Sequence, residues 1–427
     1  MKLLYTLFSL FLATLFLFVG NGLFINSSNL LLDQTDISKI LIGLVNTTYY
    51  IGAILSAISA HRIVSRVGHT RSFTFFASIM ASTILCYELT TDDLYLWSFL
   101  RFSQGFSYYS ILMIIESWLN EKSDSSIRSM VLGVYETVFY LAFAVGALLL
   151  NVGSGFAHTT ILSTIFLLLA IIPISFTKIS TPTIPEARTI SFPSLFTISP
   201  LALIGGVISG FIANGFFSMT PAYTSSLSFD VQQTSIFLTC AMLTGFLVQL
   251  PIGHLSDRFG RRLALLVTSA TTCVAAISGV IFVTFPILEY MSAAIFGLGA
   301  FSLYPLSLAR AHDVLPPNSP LRVEVSRSMI FAYGLGALIA PLSLGVALEG
   351  LGSTGFNLPI IALSVILFFY TLSQPRIEPE KRAHYVHVSP NSTNTLIASE
   401  DEDKTFSTTA HSPTKHTTFL IDQEEDL

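Results

Sequence analysis

A chain of 427 residues in which 52% are hydrophobic and only 11% charged is not a water-soluble domain, because a folded surface needs about 25% charged residues. Its net charge of -5, much of it in the C-terminal tail, gives no reason to expect nucleic acid as a partner. The apolar runs are continuous rather than alternating, so they are read as helices of about 20 residues crossing a lipid bilayer and not as barrel strands.

The chain starts with MKLLYTLFSLFLATLFLFVG. Lys2 precedes an apolar stretch longer than a signal-peptide core, which runs into GNGLF without a small-x-small cleavage site, so it is read as the first membrane helix. Helices are predicted over 3–26, 37–60, 72–89, 94–119, 129–152 and 159–177, then over 198–224, 232–252, 263–284, 286–311, 326–349 and 354–373. The expected fold class is all-α integral membrane, with about twelve transmembrane helices in two pseudo-symmetric six-helix bundles, 1–177 and 198–373. Residues 178–197, with Pro182, Pro185 and Pro193, form the longest connection and are read as a cytosolic linker. Residues 374–427 carry SPNSTNT, SEDEDK and IDQEEDL; they hold too little apolar surface to fold and are read as a disordered cytosolic tail. Cys86, Cys240 and Cys273 lie in apolar runs without metal-ligand spacing, so no disulfide, metal or cofactor is expected.

The basic residues fix a direction. With the N-terminus inside, the inner side receives Lys2, the His61–Arg71 loop with Arg62, Arg66 and Arg71, then Lys122, Arg128, Lys178, Arg188, Arg258, Arg261, Arg262, Arg310, Arg322, Arg327 and the tail. The outer side receives Lys39 together with Asp33, Asp36, Asp92, Asp93 and Asp230. This division predicts a multi-pass plasma-membrane protein, in the cell inner membrane if the cell is Gram-negative, with both termini cytosolic.

The two halves repeat. GNGLF (20–24) pairs with ANGFF (213–217), RVG (66–68) with RFG (258–260), GFSYY (105–109) with AFSLY (300–304) and VGALL (145–149) with LGALI (335–339). The matches keep their order at a nearly constant offset, which implies duplication of a six-helix half.

Between the second and third helices of each half lies a knot of charge. In the second half it reads GHLSDRFGRR, with Gly253, Asp257, Arg258, Gly260, Arg261 and Arg262. Gly260 allows a tight turn, Gly253 a close helix approach, and Asp257 can accept from a helix N-terminus. The arginines can pair with carboxylates or with anionic lipid, so the knot reads either as a latch between helix ends or as a set of positive-inside anchors. The first copy, HRIVSRVGHTR, keeps Arg66, Gly68 and Arg71 but has Ser65 for the Asp, His61 for the first Gly and His69 for an Arg. Glu116, Glu121 and Arg128 are the candidate latch partners.

The pattern G-x-x-x-D-R-x-G-R-R in this position resembles the cytosolic loop motif of the major facilitator superfamily. RFSQG (101–105) resembles that superfamily's fourth-helix motif, and the stretches RFSQGFSYYSILMIIESWLN and FSLYPLSLARA are similar to its YcaD-like branch. The resemblance covers the membrane body. It implies a latch that forms in one state of a transport cycle and breaks in the other, and a role for Arg101 in substrate binding or proton coupling.

Arg101 stands seven residues inside its helix, about 10 Å deep at 1.5 Å per residue. A cation at that depth needs water or a partner, so it is read as facing a cavity, with a structural strut as the alternative. Gln104 lies one turn further along the same face. Glu136 in the fifth helix is either a second cavity charge that could carry a proton or part of a gate ion pair. Asn21 and Asn214 occupy equivalent repeat positions, and Tyr49, Tyr50, Tyr109 and Tyr304 can supply aromatic walls.

No P-loop, H-E-x-x-H or G-x-S-x-G occurs, so ATP-driven transport and membrane enzymes are not expected. The expected function is a secondary active or facilitative transporter, a monomer moving a small solute by alternating access, with proton coupling through Glu136 or Glu116 as one option. The alternative is a non-transporting membrane sensor that signals through the cytosolic tail.

Overall fold

The structure is a computed structural model that describes residues 2–35, 37–89, 93–122, 128–153, 155–176, 192–316, 319 and 321–377. Most of the expected linker and nearly all of the expected tail lie outside these residues. Among the described residues there are helices and no strands. The first half comprises α1 (Lys2–Gln34), α2 (Lys39–Val67), α3 (His69–Cys86), α4 (Leu94–Lys122), α5 (Arg128–Leu148) and α6 (Phe156–Ser175). A short α7 (Phe192–Ile198) leads into the second half. That half is α8 (Pro200–Ser226), α9 (Val231–Phe259), α10 (Arg261–Ile281), α11 (Pro286–Ala300), α12 (Leu303–Val314), α13 (Leu321–Leu351) and α14 (Thr354–Ser373).

Eleven helices, with α11 and α12 counted as one, are long and apolar enough to cross a membrane. The twelfth crossing is α4, 29 residues long and packed along α2 and α3; its polar side chains dilute its hydropathy. Large apolar side chains such as Leu44, Ile51, Phe75, Phe99, Leu247 and Phe369 are exposed around the outside, as a lipid-facing surface requires.

The repeat is visible in the packing. Within each half the first helix packs against the fifth, α1 on α5 and α8 on α13. Between halves α2 packs against α13 and α5 against α9, with α1 beside α8. These contacts are what a two-fold relation between the halves produces, since α9 is the repeat of α2 and α13 that of α5. We call the end where α1 begins and α14 finishes the near end, and the opposite end the far end.

Three of the differences from the sequence expectation have a physical reason. The first helix continues past residue 26 because its polar residues bond back to its own carbonyls: Asn26 Nδ2 to Gly22 O at 2.8 Å and Ser28 Oγ to Phe24 O at 2.5 Å. Such back-bonding lets Ser and Asn stay in an apolar setting. The helix predicted over 286–311 breaks at Phe301–Ser302, where Pro305 has no N–H to give the Phe301 carbonyl. The charge knots are helix ends rather than loops. A single glycine joins the helices: Gly68 with φ 85° between α2 and α3, and Gly260 with φ 96° between α9 and α10. Both are also extended in ψ, a backbone region that essentially only glycine enters.

Candidate functional site

Between the halves lies a narrow cavity of about 20 Å³, room for about one water molecule. Ile25 and Asn29 of α1, Asn46, Tyr49 and Tyr50 of α2, Arg101 and Tyr109 of α4, Phe143 of α5, and Asn214, Phe217 and Ser218 of α8 line it. Helix spacing puts them there: Asn46, Tyr49 and Tyr50 share one face of α2, and Asn214, Phe217 and Ser218 one face of α8.

Arg101 is the one cation in this lining, and it is only 1% exposed. Its Nη2 donates to Asn29 Oδ1 at 2.5 Å and its Nη1 to Gln104 Oε1 at 3.3 Å. Its Nε has no hydrogen-bond partner. Gln104 is positioned in turn by Asn21, whose Oδ1 accepts from Gln104 Nε2 at 3.3 Å. The guanidinium is therefore held by neutral amides, and no carboxylate among the described residues pairs with it. A buried cation without a counter-ion is costly in an apolar interior.

Of the other expected cavity residues, Tyr109 lines the space and Asn214 does so from the second half. Asn214 Nδ2 bonds its own helix at Gly210 O, while its carbonyl accepts from Tyr50 Oη at 3.2 Å, across the halves. Asn21 sits behind the lining. Tyr304 is buried with its ring 4.7 Å from that of Tyr333, away from the lining. Glu136 is buried but is not among the lining residues. It neighbours Tyr135, whose hydroxyl donates to the buried Glu116 at 3.2 Å. Glu116 is thus an interior residue of the first half. The sequence reading missed Asn29, Asn46 and Ser218; the one available signal was their helical spacing from Asn21, Tyr49 and Asn214.

Toward the far end the halves touch directly. Lys39 N donates to Glu349 Oε2 at 2.6 Å, joining the start of α2 to the end of α13. Asp33 and the Lys39 ammonium form an ion pair beside it. On the other flank Ser235 Oγ donates to Ala147 O at 2.8 Å, and Asn151 Nδ2 donates to Ser235 Oγ at 3.0 Å. Asn46 Nδ2 to Ser218 O, at 3.1 Å, adds a bond at the cavity wall.

At the near end the second-half knot ties helix ends of its own half. Arg261 Nη1 donates to Asp257 Oδ1 at 2.6 Å and to Ser256 Oγ at 2.7 Å, and its Nε faces Asp313 Oδ2 of α12 at 3.3 Å. Arg262 donates to the carbonyls of Thr371 and Leu372 at 3.1 and 2.5 Å, capping α14, where a cation suits the helix dipole. Gly253 is buried in α9, whereas Arg258 is exposed over the Phe259 ring.

In the first copy Arg66 and Arg71 are exposed, and His69, at the place of Arg261, is buried with its ring 5.5 Å from that of Trp118. The register that aligns GFSYY with AFSLY puts Trp118 opposite Asp313. An aromatic contact in one half therefore replaces an ion pair in the other. The Arg128 and Glu121 side chains, expected latch partners, lie outside the described residues.

A family model described as Major Facilitator Superfamily matches residues 10–323 and again 202–400. An uncharacterized MFS-type transporter of Yersinia pestis (strain Pestoides F) is 25% identical over 356 residues, covering 81% of this chain and 89% of that one. The uncharacterized MFS-type transporter YcaD of Escherichia fergusonii is 24% identical over 336 residues, covering 78% and 85%. Among solved structures, the nucleoside transporter NupG superposes with a TM-score of 0.68 at 17% identity, covering 87% of this chain and 99% of that one. A bacterial homolog of the human lysosomal transporter Spinster, inward-facing and unoccupied, gives 0.60 at 14% identity, covering 94% and 97%.

Proposed function

Because this chain belongs to the Major Facilitator Superfamily, we propose that it is a transporter that binds a small organic anion at Arg101 and moves it by alternating access between its two halves. The observation that carries the reading is the buried Arg101 guanidinium, which borders unfilled space and meets amides but no carboxylate. An anionic group of the solute would supply the missing charge in a charge-assisted hydrogen bond. Tyr49, Tyr50, Tyr109, Phe143 and Phe217 would enclose an apolar or planar body, which fits the largely apolar lining of small-molecule sites.

The near end, with Arg258, Arg261 and Arg262, is read as cytosolic on the positive-inside rule, and the far end as the outer side. The bonds from Lys39 to Glu349 and from Ser235 to Ala147 would then form an outer seal. The space between the halves is lined by residues of a single chain, so a monomer would suffice. Protons are a reasonable coupling ion in a body that buries the acids Glu116 and Glu136.

A thermal-stability screen tests the anion. Purified wild type and Arg101→Gln would be heated with carboxylates, phosphate esters, amines and uncharged nucleosides. The expected result is stabilisation of wild type by one class of anion and none of the variant. Amines or neutral solutes that stabilise both proteins equally would sink the anion reading and make Arg101 a strut.

The outer seal makes a separate prediction. Glu349→Gln should weaken the bond to the α2 N-terminus by about 1 kcal/mol or more, as for hydrogen bonds to charged groups. A cysteine placed at Asn46, in a chain lacking Cys86, Cys240 and Cys273, should then react several-fold faster with an impermeant maleimide added outside. An unchanged rate would show that these contacts do not hold the outer side shut.

A further inference from the structure

The second half buries an acid of its own. Glu289 lies in the first turn of α11 and is 0% exposed. It borders a separate small cavity of about 20 Å³ walled by Phe216, Phe237, Phe296 and Phe356. Tyr223 Oη donates to Glu289 Oε2 at 3.0 Å, while Glu289 Oε1 has no hydrogen-bond partner. No lysine or arginine among the described residues pairs with it. Around it α8 brings Tyr223, α9 brings Phe237, α10 brings Ala275, Ala276 and Gly279, and α14 brings Phe356 and Asn357. None of these carries a charge. Tyr290, next on the same helix, interacts with Asp230 and Cys240 of the α9 side, and none of the three lines this space.

The hydrogen bonds around Glu289 suit two protonation states. Tyr223 Oη lies 3.0 Å from Glu289 Oε2 and 3.3 Å from Gly279 O, and it accepts from Asn357 Nδ2 at 3.1 Å. A phenol has one proton and two lone pairs. Facing a carboxylate, it donates to Oε2. Facing a carboxylic acid, it can turn that proton to the Gly279 carbonyl and accept the acid's O–H on its free lone pair. Rotation of two side-chain groups exchanges the two arrangements, and the added proton cancels a charge that nothing else in the pocket offsets.

The α8 wall of this pocket has a weak point. Pro221 lies inside α8, so the Phe217 carbonyl loses its helical donor. The last turn of α8, which carries Tyr223, can therefore bend there.

We propose that Glu289, held by Tyr223 and Asn357, is a proton-binding site of the transport cycle. A proton from the outer solution joins Oε2, the oxygen that faces Tyr223, as the end of α8 closes over it, and it returns to water when that end lifts. The role in the cycle rests on the transporter reading, but the site itself can be measured without any solute.

Infrared difference spectra between acidic and alkaline buffer, taken on the full chain in lipid nanodiscs, report the C=O stretch of a buried protonated carboxyl. Wild type should show such a band and lose it as the pH rises. Glu289→Gln should lack it, Glu116→Gln and Glu136→Gln should keep it, and Tyr223→Phe should keep it at a shifted frequency. A folded Glu289→Gln protein with the wild-type difference spectrum overturns the proposal, as does a wild-type band that ignores pH. If Glu289→Gln does not fold, an unshifted band in Tyr223→Phe overturns it. A titrating Glu289 band in a protein that no anion stabilises upholds the proton site and sinks the anion reading, and the reverse pair of results does the opposite.

Discussion

Arg261→Gln is expected to cost about 3–5 kcal/mol of stability, the range for removing one partner of a buried ion pair. Arg261 and Asp313 side chains are both 0% exposed, and the guanidinium also holds Asp257 and Ser256. Gln is too short to reach all three, so Asp313 is left as a buried charge beside the start of α10. Asp313→Asn should cost less, because Asp257 and Ser256 still hold the guanidinium. The double variant Arg261→Met with Asp313→Leu should recover much of the loss, since apolar replacement of both partners of a buried pair is often neutral. Melting temperatures of wild type, Arg261→Met, Asp313→Leu and the double variant in one detergent form the cycle that isolates the coupling. Single variants that melt like wild type would show that the pair contributes nothing.

Gly105→Val should have an effect of similar size or larger, seen as loss of monodisperse protein after extraction. A Cβ on Gly105 would strike the Tyr49 carbonyl, and one on Gly52 would strike the Phe102 carbonyl. Both clashes are with helix backbone, so no side-chain rotation relieves them; overpacking of this kind costs about 1–3 kcal/mol or more per site. Separating α2 from α4 would also move Tyr49 away from Tyr109, whose rings now lie 6.1 Å apart across the cavity wall. Gly105→Ala should give a smaller loss of the same kind. A Gly105→Val protein with wild-type yield and melting temperature would mean that the two helices do not pack this closely.

Helix number was readable in the sequence because lipid leaves so few options. A continuous apolar run must become a helix, and the two glycines that end α2 and α9 announce themselves by repeating at RVG and RFG. The burial of Arg101 was readable for the same reason: a cation ten ångströms into an apolar run needs a partner or water. Its partner Asn29 was not, because a lone Asn near a helix end looks like a boundary and the predicted helix stopped before it. Glu289 was hidden for a similar reason, standing three residues after Pro286, where an acid would ordinarily be a solvated first-turn residue. Only the packing of α8, α10 and α14 over it removes that explanation. The contrast between the His69–Trp118 and Arg261–Asp313 contacts likewise needed the fold, since helical register alone does not show which side chains meet across helices.

The meeting of α2 and α13 at the far end has few side chains in it. Gly43 lies against the Pro341 and Leu342 backbone, and a Cβ on Gly345 would come within 3.3 Å of the Gly43 Cα. Glycine has no rotamers to freeze when surfaces close and none to release when they part. What meets there is two bare helix surfaces and a hydrogen bond from Lys39 N to Glu349. A joint of that kind has little entropic memory: closing it selects no particular side-chain arrangement, so each opening can be followed by a re-closure that needs no repacking. A machine that must part and rejoin the same two faces on every turnover would wear such a seam where a well-knit side-chain core would make each cycle slow.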